Sequence, residues 1–332
     1  MAGRSRYEDI EHESFDRPRR RTRPRTKERP SYDDAVDAVV VTVDRGRLTC
    51  RLADDDRIVL AMKSRPLGRK GVVVGDQVRL VGDVSGTEGT LARIVEVCER
   101  RTVLRRTADD DDPVERVVVA NADQLVVVVA LADPEPRTGL VDRALAAAYD
   151  AGIDPLLCLT KADLADPAAF LETYEPLDVP YVVTSRAADL EPVRRLLRGR
   201  TSVMLGHSGV GKSTLVNGLV PGTDRATGSV NDVTGRGRHT STSALMLRLP
   251  DDDGWIVDTP GIRSFGLAHV DPATLIGAFP DLAAASEECP RGCTHAAGEP
   301  ECGLDEAVAA GTLDAARVES YRRLTASREA PY

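Results

Sequence analysis

Gly206-His207-Ser208-Gly209-Val210-Gly211-Lys212-Ser213-Thr214 fits the pattern GxxxxGK[ST]. Its flanks fit too, because Ser202 to Leu205 reads as a strand and Leu215 to Leu219 as the helix after the turn. The chemistry explains the residue types. Glycines let backbone N–H groups curl around anionic oxygens at a helix N-terminus, where the helix dipole already favours negative charge. Lys212 would neutralise the β- and γ-phosphates of a nucleotide, and the Ser213 hydroxyl would ligate Mg²⁺. A chance glycine-rich turn is the competing reading, and the strand and helix on either side argue against it.

Three shorter motifs take meaning from this one. Trp255 to Gly261 (WIVDTPG) is an apolar strand ending in DxxG, 46 residues after the lysine. Asp258 can hold Mg²⁺ through water, and the Gly261 N–H can sense a γ-phosphate. Between them runs the polar loop Gly235 to Thr242, in which Thr240 could place its hydroxyl on Mg²⁺. Upstream, Leu156 to Asp163 (LLCLTKAD) is an apolar strand ending in a variant of the guanine motif NKxD. Asp163 would accept hydrogen bonds from guanine N1–H and its amine, which adenine does not offer in that pattern, while Lys161 would lay its alkyl stem over the base. Thr160 stands where the motif has Asn, which removes one amide contact. Ser185, after the strand-like Tyr181 to Thr184, fits a further guanine-contacting element that works through its backbone.

The order of the motifs carries more than any one of them. A Ras-like GTPase presents the phosphate loop first and the base motif last, whereas here Asp163 precedes Gly206. The expectation is a circularly permuted GTPase, because domain termini that lie close together at the surface allow one sheet to form from a rotated order. The segment after DTPG then leads directly into the C-terminal region.

Cys289, Cys293, His295 and Cys302 fall in one short segment of a chain with five histidines. Three thiolates and an imidazole are the ligand set of a closed tetrahedral zinc site, with no position left open for catalysis. The expected role is structural, stapling a segment too polar to build a core. A chance cluster of free thiols is the alternative. Cys50, Cys98 and Cys158 lie singly in apolar stretches and are expected in the core.

These groups must be positioned by elements that the rest of the 332 residues supply. Residues 34–106 read as five short β segments, Ala38 to Val43, Leu48 to Leu52, Arg57 to Met62, Gln77 to Val81 and Thr90 to Val97, with glycines between them. That spacing suggests an OB-type barrel with no room for helices. After the hydrophilic break at Asp109 to Pro113, strands and helices alternate. Leu125 to Leu131 reads as a strand buried on both faces, Thr138 to Ala151 as an amphipathic helix capped by Thr138, and Leu190 to Leu197 as another helix, so a mostly parallel sheet covered on both faces is expected over 107–268. Residues 269–332 are expected to form a helical zinc-binding domain, with helices at Asp305 to Ala310 and Leu313 to Ala326.

Charge is divided unevenly. The formal net charge is −9, yet residues 1–30 carry ten basic and six acidic side chains, and Arg17 to Arg29 holds eight of the basic ones with two prolines. A segment so poor in apolar residues is expected to be disordered, either as a solvated tail or as an arm drawn to phosphates by counterion release. The basic stretch Lys63 to Lys70 is a second candidate for a nucleic-acid contact, and a solvated loop is the plain alternative. The longest apolar run, Leu125 to Ala132, is far below the ~18 residues needed to cross a bilayer, and Met1 to Ile10 has no apolar signal core, so a cytoplasmic protein without membrane contact is expected.

With an N-terminal barrel, a permuted GTPase and a Cys-Cys-His-Cys segment in that order, residues 36–326 resemble the RsgA (YjeQ) family of small ribosomal subunit-dependent GTPases. The matching stretches are GHSGVGKST at 206–214, GRGRHT at 235–240, DTPGIRSFGL at 258–267 and EPEC at 299–302. The resemblance implies a monomer that uses GTP/GDP, Mg²⁺ and one structural Zn²⁺, a barrel that docks on ribosomal RNA, GTP hydrolysis stimulated by the small subunit, and a role in late maturation of that subunit. Ile262 occupies the place where Ras-like proteins carry the water-positioning Gln, and an isoleucine cannot orient water. The resemblance points to His239 as the replacement that hydrogen-bonds or deprotonates the attacking water, the alternative being an RNA contact. An RNA-binding scaffold with a vestigial nucleotide site is a competing reading, opposed by the intact Lys212, Ser213 and Asp258. A permuted GTPase serving the large subunit is another, which co-sedimentation with separated subunits would distinguish.

Overall fold

The computed structural model describes residues 32–44, 46–67, 71–107, 115–222, 244–259, 270 and 272–327. The basic tail before residue 32, residues 68–70 of the Lys63 to Lys70 stretch and the loop 235–242 lie outside them.

The first five strands are β1 (Val36–Asp44), β2 (Arg47–Leu52), β3 (Ile58–Lys63), β4 (Gln77–Gly82) and β5 (Ala92–Val97). They pair in the order β1-β2-β3-β5-β4, and β4 returns to β1 to close a barrel. Only the β3–β5 pairing is parallel. This is the arrangement expected of an OB-type barrel. Strand alternation fills it: Val59 and Ala61 of β3 face inward while Ile58, Leu60 and Met62 face out. One expectation fails in detail, since Arg65–Leu67 forms a single 3-10 turn where no helix was foreseen. Cys98 also departs from expectation. It is half-buried just past β5, whereas Cys50 and Cys158 are buried in the core.

β6 (Val103–Thr107) and β7 (Glu115–Ala120), where the sequence pattern predicts no strand, pair antiparallel as a hairpin, and the acidic break between them lies outside the described residues. This hairpin joins the barrel tightly. Val74 bridges Val119, and Asn121, in the left-handed region at φ 58°, donates from Nδ2 to the Gly75 carbonyl at 2.9 Å. A Cβ on Gly75 would lie 2.1 Å from the Ala120 carbonyl oxygen, so only glycine permits this approach.

Then follow β8 (Gln124–Ala130), α1 (Thr138–Asp150), β9 (Asp154–Thr160), α2 (Ala168–Tyr174), β10 (Tyr181–Val183), α3 (Glu191–Leu197), β11 (Arg200–Leu205), α4 (Lys212–Leu219), β12 (Leu245–Arg248) and β13 (Gly254–Asp258). The strands lie in the order β10-β9-β8-β11-β13-β12. All neighbours are parallel except β12, which runs antiparallel to β13 and was not foreseen, as α2 was not. Both are short and carry weak periodicity. β12 also pairs with β1 of the barrel, through Thr42 and Leu245, so barrel and sheet are one eleven-stranded surface. Trp255 of β13 lies at this joint between Arg51 of β2 and Arg248 of β12, at 5.0 and 5.6 Å from its ring centre. Contrary to the expected threonine cap, Arg137 is the N-cap of α1 and Thr138 is its first helical residue.

The C-terminal region contributes α5 (Pro272–Gly277), α6 (Pro280–Ser286), α7 (Gly303–Ala309) and α8 (Ala315–Ala326). β8 is buried along its whole length, and its residues alternate between two cores. Val126 and Val128 pack with α3 and α4. Leu125, Val127 and Val129 pack with α1, with α2, and with Leu275, Phe279, Leu282, Leu304, Tyr321 and Leu324 of the C-terminal helices. Those helices therefore share the sheet's core and do not build one of their own. Among the described residues no helix is long and apolar enough to cross a membrane.

Candidate functional site

Parallel register builds the phosphate corner. β11 lies between β8 and β13 with Met204 opposite Asp258, so the strand end carrying Asp258 finishes beside the start of the glycine loop. A Cβ on Gly206 would come within 2.8 Å of the Val128 carbonyl oxygen, which presses the loop onto β8. Gly209 and Gly211 adopt φ of 90° and 89°, and Gly211 is the N-cap of α4 with no side chain over the helix end. The first turn of such a helix presents N–H groups that have no partner within the helix. Lys212 and Asp258 form an ion pair there, with side chains 12% and 2% exposed. Thr259 then donates its hydroxyl to the Met204 carbonyl at 2.8 Å, tying the end of β13 to β11. Ser213 is half-buried, Ser208 and Thr214 are exposed, and His207 Nδ1 lies 2.9 Å from the Ser208 carbonyl oxygen.

The base-motif residues converge on the same corner although they come earlier in the chain. Thr160 closes β9, and its buried hydroxyl donates to the carbonyl of Val210 in the glycine loop at 2.6 Å, with Val129 O at 3.3 Å. Thr160 thus ties the loop to the sheet. Lys161, in the left-handed region at φ 59°, donates from Nζ to the Asp133 carbonyl and lies 3.9 Å from the Asp133 carboxylate. Asp163 is exposed. Ala162 N–H donates to Thr184 O at 3.2 Å, which brings the half-buried Ser185 next to the motif. Asp133 and Pro134, whose Cδ would lie 3.4 Å from a Cβ on Gly209, bound this corner. They have no motif of their own, so sequence reasoning passed over them. His239, Thr240 and Gly261 lie outside the described residues.

The second cluster is local. Ligand atoms of Cys289, Cys293, His295 and Cys302 lie within 4.8 Å of one another. His295 Nδ1 is 3.5 Å from the sulfurs of Cys289 and Cys293 and 3.9 Å from that of Cys302. A tetrahedral ion with Zn–S of about 2.3 Å and Zn–N of about 2.0 Å would set N and S about 3.5 Å apart, so the donor set fits zinc in type and in spacing. Gly303 N–H donates to Cys289 Sγ at 3.1 Å, and any Cβ there would strike the Ala285 carbonyl at 2.3 Å. Burial and the neighbouring thiols push the Cys293 thiol up to about 11. Burial and the charge of Arg322 hold His295 below its ordinary value, so it is offered as the neutral imidazole a metal needs. Arg322, 20 residues after Cys302, touches this cluster and was invisible to spacing arguments.

Comparison with known proteins finds similar chains. A small ribosomal subunit biogenesis GTPase RsgA of Ectopseudomonas mendocina is 43% identical over 219 residues, 63% of each chain. The protein of the same description in Chlorobaculum parvum is 37% identical over 296 residues, covering 86% of this chain and 93% of the relative. The crystal structure of YjeQ from Thermotoga maritima superposes with a TM-score of 0.64 at 26% identity, over 90% of this chain and all of that one. The model of the RsgA GTPase family matches residues 97–268, a span that runs from the end of the barrel through the base motif, the glycine loop and DTPG in that permuted order. That span exceeds half of the chain, and the chain accordingly belongs to the RsgA GTPase family.

Proposed function

We propose that this chain hydrolyses GTP to GDP and phosphate on the small ribosomal subunit and assists that subunit's late maturation, with turnover raised by the bound subunit. The observation that carries the nucleotide half of this reading is the meeting of Lys212, Asp258 and the Thr160-tethered glycine loop at one corner of the sheet. The partner comes from the relatives, whose names describe small ribosomal subunit biogenesis.

In this reading the N–H groups of residues 209–214 hold the phosphates, and Lys212 exchanges its Asp258 partner for the β- and γ-oxygens. Asp163 and Lys161 select and cover the guanine, with Ser185 contributing backbone. Ser213, Thr240 and, through water, Asp258 would hold Mg²⁺, which would neutralise charge on the transferring phosphoryl group. His239 orients the water whose oxygen bonds to the γ-phosphorus as the bond to the β–γ bridging oxygen breaks, and the Gly261 N–H registers the γ-phosphate. The Cys₃His cluster holds one structural zinc. The barrel, the Lys63 to Lys70 stretch and the basic tail meet ribosomal RNA, and the protein acts as a cytoplasmic monomer.

Phosphate release measured with and without purified small subunits tests this. Turnover should rise sharply with small subunits and not with large ones; equal rates in all three conditions would refute the reading.

A further inference from the structure

Arg322 of α8 makes four polar contacts around the Cys₃His cluster. Its Nε donates to the His295 carbonyl at 2.7 Å, Nη1 and Nη2 donate to the two oxygens of Asp305 at 2.9 Å each, and Nη2 lies 3.9 Å from the Cys302 sulfur. The side chain is largely enclosed, and Asp305 holds its fork in one orientation.

We propose that Arg322 is the outer cation of this metal site, a positioning residue that governs how firmly the cluster keeps its ion. The proposal rests on reading the cluster as a metal site. Two physical arguments carry it. Three thiolates around a divalent ion leave one net negative charge in a partly buried place, and a guanidinium against Cys302 offsets it. His295, moreover, sits in the left-handed region at φ 58°, a costly conformation for a non-glycine residue, and this conformation belongs to the turn that brings Nδ1 to the three sulfurs. The Arg322 bond to the His295 carbonyl pins that turn to α8. A lysine could supply charge but not the planar fork that reaches carbonyl, carboxylate and sulfur together.

The neighbouring Arg323 provides the control. It faces away from the cluster, toward the Asp142 carboxylate at 3.2 Å and the Thr173 carbonyl at 3.0 Å, and joins α8 to α1 and α2. Its loss should lower stability and leave the metal alone.

The test uses the full chain loaded with Zn²⁺, measuring zinc transfer to excess chromophoric chelator, and the Co²⁺-substituted chain, measuring the thiolate-to-cobalt charge-transfer band. Arg322→Gln should release zinc about 10- to 100-fold faster and shift the band. Arg322→Lys should fall between this variant and the parent, and Arg323→Gln should move neither. Parental release and an unshifted band in Arg322→Gln overturn the proposal. If that variant does not fold, Arg322→Lys decides, and parental values there overturn it equally. A parent chain that takes up neither metal stoichiometrically refutes the metal-site reading itself, which is a different result from a parent that binds metal and an Arg322 variant that holds it just as well.

Discussion

The glycine-loop corner and the Cys₃His knuckle, each suited to a charged ligand, are built in opposite ways. The corner is assembled from strand ends separated by tens of residues, and the strands beneath it are almost wholly buried, as β8, β9 and β11 demonstrate. Its polar groups already have protein partners: Lys212 with Asp258, and Thr160 with Val210. The knuckle is assembled within 14 residues, and every residue between Cys289 and Cys302 is exposed or half-buried. A site standing on a packed sheet keeps its shape from apolar burial. One that meets the core only through its cysteines depends more on the few contacts, such as Arg322 and the Gly303 N–H, that tie it to helices, and would be completed by an ion.

The largest test of that contrast is metal removal. Stripping zinc with a chelator should cost the knuckle at least about 5 kcal/mol of local stability, given the ~10–16 kcal/mol that structural zinc supplies to small domains. Hydrogen exchange should report it as lost protection over residues 289–313 with β8, β9 and β11 unchanged. Protection lost equally in both regions would mean that the two sites stand or fall together. Next in size is Lys212→Ala, which should lower GTP turnover by about 10²–10³-fold while exchange at the knuckle stays as in the parent. Turnover within twofold of the parent would remove Lys212 from the chemistry. Asp163→Asn should weaken GTP binding by about 10²-fold and gain xanthosine triphosphate, because an amide can donate to the xanthine carbonyl. Unaltered GTP affinity would take Asp163 out of the base site. The smallest effect is expected of Thr160→Val, which leaves the Val210 carbonyl without its hydroxyl donor. It should cost about 1–3 kcal/mol in denaturant unfolding, with a modest rise in the Kd for GTP. If GTP affinity fell while stability held, Thr160 would be a nucleotide contact and not a tether.

Much of both sites was legible in the sequence. The glycine loop, the base motif, DTPG and the four metal ligands can be read from residue type and spacing, because backbone geometry within a turn or a short knuckle is a local matter. The five barrel strands, β8, α1 and α8 follow from periodicity and turn residues in the same way. What Thr160 does was not legible. As a motif position it suggested a missing base contact, and only the meeting of β9 with the loop after β11 gives its hydroxyl the Val210 carbonyl, 50 residues away. β12 escaped notice for a related reason, since four residues carry no period and it is a strand because β13 and β1 lie on either side of it.

The amino-acid sequence alone therefore determined the chemistry on offer and its order along the chain: a GxxxxGK[ST] loop, a Thr-Lys-x-Asp motif placed before it, a DxxG motif after it and a Cys₃His set of the type that suits zinc. Tertiary structure decided the partnerships. It put Asp258 against Lys212, Arg322 against His295 and Cys302, the barrel edge against β12, and the C-terminal helices onto the sheet's own core. The division has a physical cause. Short-range rules set which conformations and ligands a segment can offer, whereas a contact between distant segments depends on strand register and on which apolar faces are buried together, quantities that belong to the folded chain as a whole.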